Sequence, residues 1–191
     1  MMIRAVGVLF FMAIFSSACA ETDIKTSLIE EPYRGLPYHA VTTQVPPIGI
    51  KRISAIDLKA ILVSKQQPIM IDVYGAIFRE ESLDFDGAWL VSSPRQNIPG
   101  SVWLPNVGKQ ELKSVVKLYF DTNLVELTAG NKSKALVFYC IEDCWMAWNA
   151  AKRAREWGYS NVMWFREGVD GWKDIKGELQ PSEPINLPVN D

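Results

Sequence analysis

Two thiols four positions apart, Cys140 and Cys144, are the side chains in this sequence with the most chemistry to offer. A pair of cysteines at that spacing can exchange disulfides with another thiol, carry a transferable sulfur atom, or bind a soft metal ion. Ala135 to Tyr139 is an unbroken apolar run with β-branched and aromatic members, which predicts a buried strand that ends by delivering Cys140 to an edge. From Met146 the set Ala147, Ala150, Ala151, Ala154 and Trp157 recurs at helical spacing, with Lys152, Arg153, Arg155 and Glu156 between them and Gly158 as a stop. Cys140 is therefore expected where a strand hands over to a helix. In an open α/β sheet that position faces the ligand crevice, and unpaired amides at the helix start favour a thiolate or a bound anion.

Other candidate residues lie at a distance in the chain. Asp72 closes the apolar run Ile69 to Val73, where a carboxylate either accepts hydrogen bonds from the next connection or takes part in chemistry. Residues 74 to 97 form a long connection rich in charges and aromatics, among them Phe78, Arg79, Glu80, Glu81, Phe85, Trp89 and Arg95. Connections of that length are usually functional or loosely ordered. The one histidine, His39, matters to the cysteines only if its segment folds over them. A Cys-x-x-x-Cys pair suits Cu(I), but a stable site wants a further ligand and His39 is the only histidine, so no metal is expected.

The stretch from Ala135 to Trp145 resembles the active-site loop of rhodanese-like domains, whose nucleophilic cysteine ends a central strand and opens a short loop. Three further segments are similar to that family in the same order. Ile69 to Val73 resembles its "hydrophobic-Asp-Val" strand, Asn97 to Pro105 its "His-Ile-Pro-Gly-Ala" segment, and Trp157 to Trp172 its C-terminal "Gly-Tyr, strand, Gly-Gly, Trp" stretch. The resemblance covers residues 52 to 176. It implies a single rhodanese-like α/β domain, with a mainly parallel central sheet and helices on both faces. It also implies that the amides of residues 141 to 145 point inward around an exposed, ionisable Cys140, which takes the outer sulfur of a small donor as a persulfide. Ile141, Glu142, Asp143 and Trp145 then form the substrate-binding loop. The Cys-x-x-x-Cys-Trp arrangement is further similar to a narrower group of rhodanese-like proteins associated with pyrroloquinoline quinone (PQQ) dependent catabolism in Gram-negative bacteria. That likeness implies a supporting role in a periplasmic quinoprotein alcohol-oxidation system; nothing in the residues points to PQQ being bound, and no cofactor is expected in this chain.

The loop departs from the family pattern twice. Glu142 and Asp143 put two negative charges beside the cysteine, which disfavours an anionic donor such as thiosulfate unless Arg79 or Arg95 swings in. Cys144 adds a second thiol within disulfide reach. It can resolve a persulfide on Cys140, or exchange with a thiol protein. A binding module stapled by a structural Cys140–Cys144 disulfide and a Cu(I)-handling protein remain as alternatives.

The rest of the chain bounds these readings. At 191 residues, 48% hydrophobic and 22% charged, it has room for one substantial core. A net charge of -2 with no basic stripe gives no reason to expect nucleic acid. Residues 1–20 read as a signal peptide: Arg4, then an apolar run from Ala5 to Phe15, then Ala18-Cys19-Ala20 as a small-x-small cleavage site. The run is too short to span a bilayer, so export to the periplasm with no membrane attachment after cleavage is expected. Lipid anchoring at Cys19 is the lesser option, because Ser16 and Ser17 stand where an aliphatic residue is preferred. Residues 21–51 form an arm containing Pro32, Pro37, Pro46 and Pro47, lying on the domain or leading into it, and residues 177–191 a C-terminal tail. Within the domain, Asp57 is expected to cap a helix. Residues 101 to 104 should form a short strand, and 109 to 127 helix with a break near Asp121 to Asn123.

Overall fold

The computed structural model describes residues 31–79 and 89–187. The expected signal peptide, Cys19, the start of the arm, Glu80, Glu81, Phe85 and the last four residues lie outside them. The body begins with β1 (Lys51–Ile53) and α1 (Ala55–Leu62). Ser54, not Asp57, is the cap. The Ser54 hydroxyl accepts from the Asp57 amide at 3.1 Å, and the Asp57 carboxylate accepts from the Ser54 amide at 2.9 Å. This reciprocal box needs the hydroxyl at the cap and the acid three residues on.

β2 (Ile69–Asp72) follows. The long connection carries β3 (Ile77–Phe78) and β4 (Trp89–Leu90), paired antiparallel, and then β5 (Arg95–Asn97). β6 (Val102–Trp103) precedes α2 (Ser114–Thr128). The helix starts later than the pattern suggested and runs unbroken through Asp121 to Asn123. Asn123 directs its side-chain amide to the Tyr119 carbonyl at 2.8 Å, so its polar group is satisfied along the helix and does not compete with it. β7 (Leu136–Tyr139), α3 (Trp145–Glu156), β8 (Val162–Phe165), α4 (Gly168–Asp174) and β9 (Gln180–Ser182) complete the order.

Five strands form a wholly parallel sheet in the order β1-β8-β7-β2-β6. Its register aligns Ile53 with Phe165, Phe165 with Tyr139, and Tyr139 with Asp72. The residues that follow these strands, Cys140 and Arg166 among them, therefore leave the sheet at one edge. Strand side chains alternate between faces. Ile71, Leu136, Phe138, Val162 and Trp164 pack with α2 and α3, while Met70, Val137, Tyr139, Met163 and Phe165 pack with α1 and α4. Helices thus cover both faces, as expected, and each fully buried aromatic such as Phe138 contributes on the order of 2–3 kcal/mol.

α3 is buried on almost every side. Its alanines lie against the sheet, yet Lys152 and Arg153 are buried too. Arg153 donates to the carbonyls of Val107, Lys109 and Gln110 at 2.8 to 3.1 Å, and its guanidinium lies 4.2 Å over the Tyr33 ring. The outer side of α3 is covered by the arm. Asn149 accepts from the Arg34 amide at 2.9 Å and donates to the carbonyls of Arg34 and Gly108 at 2.8 Å, and the Trp148 indole donates to the Val45 carbonyl. The described part of the arm therefore lies on the domain.

The C-terminal segment is built in as far as Leu187. β9 pairs antiparallel with β5, and the Ile185 carbonyl accepts from the Trp89 indole and the Tyr119 hydroxyl. These partners, not local patterning, hold residues 180–187, which is why they read as a tail.

Candidate functional site

Cys140 leaves β7 at the sheet edge, and the chain then reverses within four residues. Asp143 takes a left-handed conformation (φ 52°), and Cys144 serves as the cap residue of α3. Asp and Asn accept such backbone angles more readily than other side chains. The reversal brings the Cα atoms of Cys140 and Cys144 to 6.2 Å, and their sulfurs are joined in a disulfide. That separation lies within the range disulfides use.

The expected exposed thiolate is not present. Cys140 is 0% and Cys144 2% exposed, because the arm crosses directly over them. His39 pairs antiparallel with Cys144 through the flanking bonds Ala40 N–H to Asp143 O (3.0 Å) and Trp145 N–H to Tyr38 O (2.8 Å). Thr42 adds its amide and hydroxyl to one Asp143 oxygen, at 2.9 and 3.0 Å. The inward ring of amides is altered for the same reason. The Trp145 amide is given to Tyr38, and the Glu142 amide to the Asp170 carboxylate at 3.0 Å.

On the sheet side, the Cys140 carbonyl accepts from the Val169 amide at 3.0 Å and from Arg95 Nη2 at 3.5 Å. Gly168 (φ 55°) closes this contact: a Cβ there would collide with the Cys140 carbonyl and the Ile141 backbone. Both its angle and the close approach require glycine.

Arginines offset the acidic residues. Arg166, nearly buried, pairs with Asp143 and reaches Glu142 at 3.4 Å. The Thr42 amide, then its hydroxyl and Arg166, hold the Asp143 carboxyl below its ordinary value. The single positive charge of Arg166, a residue outside the loop, thus offsets part of the loop's two negative charges. Arg166 is the first residue after β8, at the strand edge where ligand sites gather; that position was its available signal. Thr42 and Asp170 carried none, since each reaches the loop from a distant part of the chain.

Asp72 is fully buried. It accepts from the Tyr74 amide at 2.9 Å and from Arg95 Nε at 2.7 Å. Burial pushes its carboxyl up to about 6, against the opposing pull of Arg95 and the Tyr74 amide. The Arg95 guanidinium lies 4.3 Å over the Tyr74 ring, and that ring is 5.5 Å from the His39 ring. His39 is held below its ordinary value by partial burial and then by Arg95. A chain of contacts therefore runs from Asp72 through Arg95 and Tyr74 to His39. Beside it lies a polar cleft of about 150 Å³, lined by Tyr74, Gly75, Ser92, Ser93, Arg95 and Trp103.

Of the remaining loop residues, Ile141 is half-buried against both hydrophobic clusters. Trp145 packs edge-on against Trp148 at 6.0 Å, with the Arg34 guanidinium 5.0 Å from its ring. Arg79 directly follows β3. One ring nitrogen of His39 and the sulfurs of Cys140 and Cys144 lie within 4.8 Å of one another.

A family model described as "Rhodanese-like domain" matches residues 55–175. Curated proteins gave no match. Among solved structures, the chain is similar to a thiosulfate sulfurtransferase from Pseudomonas aeruginosa at 15% identity and TM-score 0.48, covering 74% of this chain and 22% of that one. It is similar to a polysulfide-sulfur transferase homodimer from Wolinella succinogenes at 14% identity and TM-score 0.43, covering 69% and 79%. A further similarity is to an uncharacterized protein from Saccharomyces cerevisiae, at 17% identity and TM-score 0.37, covering 66% and 92%.

Proposed function

The chain belongs to the rhodanese-like domain family, and from that premise we propose that Cys140 and Cys144 form a redox couple that exchanges its disulfide with a thiol protein. The observation that carries this reading is the disulfide itself, standing at the end of the central strand beside Arg95 and at the start of α3. A partner thiolate attacks one sulfur. The S–S bond breaks, its electron pair leaves on the other sulfur as a thiolate, and a mixed disulfide forms. The partner's second thiolate then attacks its own half of that bond. The partner leaves oxidised, and Cys140 and Cys144 hold two electrons and two protons more. The positive N-terminal end of α3 and the Arg95 guanidinium nearby favour the thiolates that leave.

Access requires the arm to lift. Displacing residues 38–42 breaks two backbone hydrogen bonds and the two bonds from Thr42 to Asp143, at about 1 kcal/mol net each, so the open form is a minor state on the order of one molecule in a thousand, reached by local opening.

Sulfur transfer is the second reading, favoured by the polar cleft next to Arg95. In the reduced protein the Cys140 thiolate would attack the outer sulfur of a small persulfide or polysulfide donor; the donor's S–S bond breaks, its electron pair leaves with the remaining sulfur as a thiolate, and Cys140 keeps the outer sulfur as a persulfide. The Cys144 thiolate would then attack the Cys140 sulfur, expel hydrosulfide and restore the disulfide. Export to the periplasm rests on the N-terminal sequence, and a partner within a PQQ-dependent alcohol-oxidation system rests on the Cys-x-x-x-Cys-Trp resemblance.

Native reduction tests the proposal. The folded protein should gain two thiols with a small dithiol, and both Cys140→Ser and Cys144→Ser should abolish exchange. Thiosulfate-to-cyanide activity lost in Cys140→Ser but kept in Cys144→Ser would favour simple sulfur transfer. A disulfide that yields only when the protein unfolds makes it a structural staple and ends the redox reading.

A further inference from the structure

We propose that the reduced protein binds one Cu(I) ion through His39, Cys140 and Cys144. The inference rests on the reducibility of the disulfide proposed above and adds a ligand to it. Spacing in the sequence left the cysteines short of a third donor. Folding supplies one: the arm carries His39 across the loop, and its ring nitrogen lies with both sulfurs inside a 4.8 Å span.

The geometry suits a three-coordinate soft ion. Metal–sulfur bonds of about 2.3 Å and metal–nitrogen bonds of about 2.0 Å at trigonal angles put donor atoms roughly 3.7–4.0 Å apart. When a dithiol protein reduces the disulfide, the two sulfurs separate, while the exposed His39 ring moves in by less than about 1 Å. Two thiolates and a neutral imidazole around Cu(I) carry one net negative charge, and the Arg95 guanidinium, paired with Asp72, stands close to it against the Cys140 carbonyl. Binding releases the two thiol protons. Zn(II) fits less well, since it normally takes four ligands and no other His, Cys, Asp or Glu joins this group among the described residues. The sulfurs lie among buried apolar residues, which favours a soft ion of low coordination number.

The test uses the mature protein, reduced with a dithiol, freed of reductant and kept anaerobic. Thiols are counted first, and Cu(I) is then titrated against a chromophoric Cu(I) chelator. Two thiols, one tightly held Cu(I) and an X-ray absorption spectrum with two sulfur and one nitrogen neighbours are the expected result. His39→Ala should keep both thiols and dithiol exchange, yet bind Cu(I) on the order of tenfold or more weakly, since losing even an outer partner of a metal ligand costs that much. Two thiols with equal Cu(I) affinity in wild type and His39→Ala would overturn the copper site and leave disulfide exchange standing. If no thiols appear under native conditions, both proposals fail.

Discussion

The backbones of His39 and Cys144 pair antiparallel, so a segment about one hundred positions upstream lies as a short cover on the disulfide. Besides the two backbone bonds, the cover is fastened by Thr42, whose amide and hydroxyl both reach Asp143. For the proposed exchange, opening of this cover is expected to set how fast the disulfide meets a reductant.

Thr42→Val keeps the shape of the side chain and its amide bond but removes the hydroxyl bond to the carboxylate. At roughly 1 kcal/mol for that bond, reduction by dithiothreitol should be about fivefold faster if opening is a rapid pre-equilibrium. The rate of thiol appearance at fixed pH checks this. An unchanged rate would mean that the arm does not gate the sulfurs.

Reduction should also lower stability. A disulfide closing so short a loop removes little chain entropy, and about 2 kcal/mol is expected from loop length. Urea midpoints of oxidised and reduced protein report the difference. Equal midpoints would show that the bond adds no constraint beyond the packing around it.

Asp72 gives the protein a pH dependence of known sign. Its folded value of about 6 lies above the ordinary 3.8, so between these the native state binds more protons than the unfolded chain. The Asp72 contribution is therefore most favourable below about pH 4, declines as pH rises through about 6, and is flat above. The change is on the order of 3 kcal/mol. Comparing wild type with Asp72→Asn by urea unfolding from pH 4 to 7 isolates it: the stability of wild type relative to the variant should fall over that interval.

Gly168→Ala should destabilise by at least about 2 kcal/mol, from the left-handed backbone angle plus the collision with the Cys140 carbonyl. The loss should appear in thermal unfolding and be accompanied by faster exchange of the Val169 amide, whose bond to Cys140 the new methyl disturbs. A fully wild-type melting temperature would contradict the close approach.

Much of the domain could be read from local pattern. The apolar runs at Ile69 to Asp72, Leu136 to Tyr139 and Val162 to Phe165 and the alanine face of α3 each announce themselves within a dozen residues, since strand and helix periods of 2.0 and 3.6 are written directly into side-chain order. The cysteine separation likewise follows from short-range geometry.

What local pattern could not reach was the surroundings of the sulfurs. Thr42 and Asp143 are 101 positions apart, and Arg166 lies 23 from the same carboxylate. The arm has no periodicity to reveal its docking; its place is set by a few backbone pairs and by Asn149. Sequence alone therefore determined that two thiols would meet at the end of a central parallel strand. Tertiary structure decided that they would be covered, beside a histidine and among paired charges. A turn of four residues is governed by its own dihedral angles, whereas a cover borrowed from the far end of the chain exists only once the sheet register and α3 have been built beneath it.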